Sequence, residues 1–73
     1  MPKLPVISAK KLIRILEGIG FYRGRSRGSH LIMINADGRR TVVPMHGRDI
    51  PSGTLLAILK DLNLSKEDLA RLL

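Results

Sequence analysis

The tetrapeptide Asn35-Ala36-Asp37-Gly38, set between an apolar run at 31–34 and a return segment at 40–45, constrains this chain more than any other feature. Asn and Asp fold the backbone onto their own side chains and glycine accepts positive φ, so the order is that of a type I turn closed by a glycine bulge. The flanking runs are then the two strands of an antiparallel hairpin. Loop length sets the face of every side chain. A three-residue Ala36-Asp37-Gly38 loop pairs Asn35 with Arg39 and His30 with Pro44, placing His30 and His46 on one face as diagonal neighbours. A two-residue Asp37-Gly38 loop would shift the register by one and separate the rings to opposite faces; the bulged loop is favoured. Pro44 has no N–H to give a ladder, so the return strand is an edge there or is ending.

On either side of the hairpin the apolar spacing turns helical. Leu12, Ile13, Leu16 and Ile19, with Lys10, Lys11, Arg14 and Glu17 on the other side, predict an amphipathic helix over 9–18. Ser8 is its N-cap and Gly18 and Gly20 its stop, although Lys11 stands where a capping box would want Glu. Residues 21–25 read as a first strand and Ser26-Arg27-Gly28 as a polar turn. Pro51-Ser52-Gly53-Thr54 opens a second helix whose buried face is Leu55, Leu56, Ile58, Leu59 and Leu62, with Asn63 as its stop. Ser65-Lys66-Glu67-Asp68 has capping-box spacing and starts a short third helix through Leu69, Leu72 and Leu73. Residues 1–7, with two prolines, read as an extended arm. The order α-β-β-β-α-α predicts an α+β sandwich, with helices on one face of a three-stranded antiparallel sheet. At 73 residues the chain reads as one domain, 1–73, with room for one site.

The absence of Cys excludes a disulfide framework and cysteine zinc sites and fits a reducing cytosol. Without a continuous apolar segment near the N-terminus, or a run approaching roughly 18 apolar residues, neither a signal peptide nor a membrane span is expected. The reading is a soluble, cytoplasmic protein. The net charge of +7 is unevenly spread. Arg23, Arg25, Arg27, Arg39, Arg40 and Arg48 stand against Asp37 alone in the centre, whereas acidic residues balance basic ones after residue 48. Such a field either solubilises a surface or attracts polyanions, and the planar arginine fork suits phosphate in particular.

Two histidines sixteen residues apart and scattered carboxylates have no metal-ligand spacing. No glycine-rich loop leads into Gly-Lys-Ser/Thr, and Ser29 and His30, as strand neighbours, point apart and form no nucleophile–base pair. No metal or other cofactor is therefore expected. One reaction class needs none. RNA carries its own nucleophile, the 2′-hydroxyl, and its cleavage requires a base working near pH 7, cations for the developing phosphorane charge, and a grip on the backbone. Imidazole is the side chain whose ordinary pKa suits that proton transfer. His30 is the candidate base, with Arg25, Arg27 or Arg40 as phosphate clamps. The plain alternative is a surface histidine at a strand start. His46 reads as a second acid/base, a loop-fixing hydrogen bonder or a bystander. Gly28 frees the backbone for a turn and admits a phosphate. With two aromatics in the chain, backbone or shape recognition is favoured over base stacking.

Gly28-Ser29-His30 entering a strand, Val43-Pro44-Met45-His46 closing the hairpin, Gly53-Thr54-Leu55-Leu56-Ala57-Ile58-Leu59-Lys60 opening the second helix, and Leu64-Ser65 before a short acidic helix resemble the HicA (YcfA-like) family. The likeness runs from Ser8 to Leu73. It implies a double-stranded-RNA-binding-domain-like fold, mRNA interferase activity in a toxin–antitoxin pair, a single catalytic histidine corresponding to His30, and a HicB-like antitoxin that covers it. The segment before Gly28 is richer in Arg and Gly than the family pattern. Candidates for RNA contact are Arg23, Arg25, Arg27, Arg39, Arg40, Arg48, Lys10 and Lys11, with Gly28 and Ser29 as motif positions. Three functions follow: a metal-independent ribonuclease toxin acting on mRNA; a non-catalytic module for double-stranded RNA or other nucleic acid; and an interaction protein whose basic face docks an acidic partner.

Overall fold

Helix α1, Ala9–Gly18, begins where the sequence places it because Ser8, in extended conformation, accepts a hydrogen bond from the Lys11 N–H at 3.2 Å. Gly20, at φ +101°, turns the chain out of the helix and into the sheet. In the computed structural model, which describes residues 3–45 and 47–73, the remaining elements are β1 (Phe21–Arg27), β2 (His30–Asn35), β3 (Arg40–Pro44), α2 (Ser52–Asp61) and α3 (Lys66–Leu72). The strands form one antiparallel sheet in the order β1-β2-β3. This is the α+β order expected.

The hairpin register is that of the bulged loop. The Asn35 N–H donates to the Arg39 carbonyl at 2.8 Å, the Gly38 N–H to the Asn35 carbonyl at 2.9 Å, and Gly38 takes φ +99°. Asn35 and Asp37 accept from the backbone N–H two residues on, each at 3.0 Å, so the loop is held by its own side chains. His30 consequently lies opposite Pro44.

That register turns Leu31, Met33, Thr41 and Val43 to the helical side, where all are buried. Leu12, Ile13 and Leu16 of α1, Leu55, Ile58 and Leu59 of α2, and Leu69 of α3 pack against them in one core. Thr41 is the one buried polar residue among those described, and its hydroxyl donates to Asp61 Oδ2 at 2.9 Å. Asn63, at φ +56°, ends α2: its N–H donates to the Lys60 carbonyl and that of Leu64 to the Leu59 carbonyl, the paired bonds of a Schellman motif. Ser65 and Asp68 cap α3 reciprocally.

Two expectations change, and the end of the N-terminal segment gains contacts. β1 runs to Arg27, and the tight turn is Gly28-Ser29 rather than Ser26-Arg27-Gly28, because Arg27 pairs with His30. Leu56 is exposed, not part of the buried face of α2. The initial arm ends inside the fold: Ile7 is buried, its carbonyl accepts from the Ile50 N–H at 2.9 Å, and Ser8 bridges to Asp49.

Candidate nucleic-acid interface

All three helices sit on one side of the sheet, so its outer face is open to solvent. Gly28 brings His30 onto that face. With φ +59° at Gly28 and no positive φ at Ser29, the two-residue connection has the pattern of a type II′ turn, which matches strand twist and demands glycine first. It sets Arg27 directly opposite His30, with Cβ atoms about 5 Å apart in such pairs. On the other flank stands Pro44. His30 itself is exposed.

A bulge brings in a further arginine. Between the pairs Arg23–Met33 and Ser26–Leu31 the register slips, so Gly24 and Arg25 together oppose Ile32. Arg23 and Ser26 share the helical side with Met33 and Leu31, and alternation therefore leaves Gly24 and Arg25 on the outer face. Glycine leaves room there for Ile34: a Cβ at Gly24 would lie 2.8 Å from Ile34 Cδ1, the movable end of that side chain, and 3.4 Å from the Ile32 carbonyl oxygen. The outer face thus has Arg27, His30 and Pro44 across one end, Arg25, Ile32 and Val42 across the middle, and Tyr22, Ile34 and Arg40 across the other end. Among the described residues, the lysine, arginine and carboxylate side chains that strand alternation places on this face are all arginines: Arg25, Arg27 and Arg40. Arg25, Arg27 and Arg40 form none of the salt bridges found among the described residues, which engage Arg23, Arg39 and Arg71.

The other expected contacts are distributed differently. Arg39, at the far end of the hairpin, is held by three partners: its Nε donates to Asp37 Oδ2 at 2.8 Å, its Nη1 to the Leu62 carbonyl at 2.8 Å, and its guanidinium lies 5.1 Å from the centre of the Phe21 ring. The Arg39 N–H, first, and its guanidinium hold the Asp37 carboxyl below the ordinary carboxylate range. Arg23 points to the helical side and its Nε donates to Glu17 Oε2 at 3.4 Å. Lys10 and Lys11 lie on the exposed side of α1, and Arg48 is exposed in the loop before α2. The proposed diagonal pairing of His30 with His46 lies outside the described residues, since His46 is not among them. No group of three or more His, Asp or Glu side chains converges among the described residues, and none of their helices is long and apolar enough to cross a membrane.

The sequence reading missed the bulge that carries Arg25 to the outer face. Its signal was Gly24, a glycine inside a strand pattern, which marks either a bulge or a close approach of neighbouring groups. Here it marks both. Compared with known proteins, residues 9–64 match the model of a family described as HicA toxin of bacterial toxin–antitoxin. No curated protein matches.

Proposed function

The chain belongs to the HicA toxin family of bacterial toxin–antitoxin systems, and from that premise we propose that it is a cytoplasmic, metal-independent endoribonuclease acting on mRNA, with His30 as its catalytic base. The single observation that carries this reading is the cross-strand pair on the open sheet face: an exposed histidine with Arg27 opposite and Arg25 on the adjoining bulge. In the reaction, the His30 imidazole takes the proton of a ribose 2′-hydroxyl. The 2′-oxygen attacks the adjacent phosphorus, the bond from phosphorus to the 5′-oxygen breaks, and that oxygen takes up a proton, returned by the imidazolium. Arg27 and Arg25 supply donors to the non-bridging oxygens as charge builds there, where fixed cations lower the barrier most. The products are a 2′,3′-cyclic phosphate and a 5′-hydroxyl. The toxin–antitoxin setting supplies a HicB-like antitoxin as partner, masking a face that is both basic and, at Ile32, Ile34 and Val42, apolar.

The test is induced expression of wild type and His30→Ala without antitoxin, followed by purified protein on RNA in EDTA. Wild type should arrest growth and cleave to cyclic-phosphate ends, and His30→Ala should lose about 10²- to 10⁴-fold in rate while staying folded. Equal activity in the two would refute the role of His30. RNA binding without cleavage by wild type would leave a non-catalytic nucleic-acid module, and 5′-phosphate ends would refute 2′-hydroxyl attack.

A further inference from the structure

On the helical side of the sheet, at the same end as His30, a notch of about 280 Å³ is lined by Lys10, Ile13 and Arg14 of α1, Arg23 of β1, and Met45 beyond β3. It adjoins a second, shallower hollow of about 480 Å³ to which Lys10 and Arg14 also contribute, with Lys11 and Ser8. Three cations thus converge on one concavity whose remaining walls, Ile13 and Met45, are apolar. Among the described residues neither Lys10 nor Arg14 has an anionic partner. Arg23 has one, Glu17, through an exposed contact of 3.4 Å with side chains 58% and 42% accessible, a kind of pair that contributes little to stability and yields readily to a better ligand.

The notch is joined to the His30 site by a hydrogen bond. The Met45 N–H donates to the carbonyl of Ser29, the residue before His30. Met45, in the wall of the notch, and the turn that positions His30 are therefore directly joined, with the notch and His30 on opposite sides of the sheet. We infer that Lys10, Arg14 and Arg23 form a second phosphate subsite, which grips a phosphodiester of the same RNA as it wraps that end of the sheet. This rests on the reading of the His30 face as an RNA contact. The volume is near the lower limit for small-molecule pockets, enough for a phosphodiester with part of its sugar. Two arginine forks and an ammonium suit a phosphate carrying one charge, and the apolar wall suits the ribose edge. Glu17 lowers the affinity, because its carboxylate competes with the ligand for Arg23.

Affinity is measured by fluorescence anisotropy with a fluorescein-labelled oligouridylate too short to form a duplex, in a His30→Ala background that leaves the probe intact. Adding Arg14→Ala should weaken binding on the order of tenfold at low salt and make the slope of log K against log salt shallower by about 0.7, as the loss of one phosphate contact on a single strand requires. Adding Glu17→Gln should tighten binding about two- to fivefold, a gain that misfolding could not produce. Lys60→Ala, which removes the same charge from an exposed position on α2, is the control and should leave the slope unchanged. Equal effects of Arg14→Ala and Lys60→Ala, or no tightening by Glu17→Gln, would overturn the subsite. With His30 restored, Arg14→Ala should lower kcat/KM through KM, since it removes binding shared by ground and transition states. Cleavage indifferent to Arg14→Ala defeats the subsite alone. Arg14-dependent binding with no cleavage by wild type defeats the ribonuclease reading and leaves the subsite standing.

Discussion

Replacing Arg39 by Ala should lower stability by about 2–3 kcal/mol without weakening RNA binding by the folded protein. The loss is read from its two tertiary contacts. The first is the bond from Nη1 to the Leu62 carbonyl, a charge-assisted hydrogen bond to the C-terminal end of α2, of a kind that contributes about 1.5–3 kcal/mol. The second is the guanidinium over Phe21, at 5.1 Å, which adds about 0.5–1 kcal/mol where the cation is partly solvated. The Asp37 contact is local and exposed, and the Asp37 N–H and Arg39 N–H bonds that shape the loop survive the substitution. The two contributions act on one side chain and do not simply add. A domain of this size has roughly 4–11 kcal/mol in all at 0.05–0.15 kcal/mol per residue, so the fall is large, equivalent to about 10–20 °C in Tm. Thermal and urea unfolding followed by circular dichroism measure it, beside anisotropy with RNA below the transition. Arg39→Lys should recover only part of the loss, because one ammonium cannot reach a carboxylate, a carbonyl and a ring together. A change below about 0.5 kcal/mol for Arg39→Ala, or weaker RNA binding at unchanged stability, would refute the reasoning and return Arg39 to the RNA contacts.

Gly28→Ala should cost about 1–2 kcal/mol, entirely from backbone conformation, since a Cβ there meets nothing within 4 Å at φ +59°. An unaltered urea midpoint would contradict the turn assignment, and a loss of cleavage beyond the loss of folded protein would show that the turn also aims His30. Asp68 is held below the ordinary carboxylate range by the Ser65 N–H, then the Ser65 hydroxyl and Arg71, and Asp37 is lowered likewise by Arg39. A depressed carboxylate favours the fold above its unfolded pKa of about 3.9, and that contribution disappears as pH falls through the lower folded value. The urea midpoint should therefore fall below about pH 4, and Asp68→Asn should flatten that fall; an identical acid limb in the variant would disprove the linkage.

Whatever depended on hydrogen bonds between near neighbours could be read from the sequence. The span of α1 followed from Ser8 and Gly20, the hairpin register from Asn35, Asp37 and Gly38, and the start of α3 from Ser65 and Asp68, because in each case a side chain satisfies backbone groups two or three residues away. The opposition of His30 and Pro44 came with that register. The roles of the arginines did not, since one guanidinium looks like another until its partners across the fold are known. Arg39 is bound to Leu62 and Phe21, far away in the chain; Arg23 turns to Glu17; and Arg25 reaches the outer face because the bulge at Gly24 and Arg25 shifts the pairing with β2. Strand β1 likewise extends to Arg27 through pairing with β2, which no local property of Ser26 or Arg27 announces. Local chemistry determined the elements and the placement of the candidate base, and packing between distant segments decided which cations stand beside it.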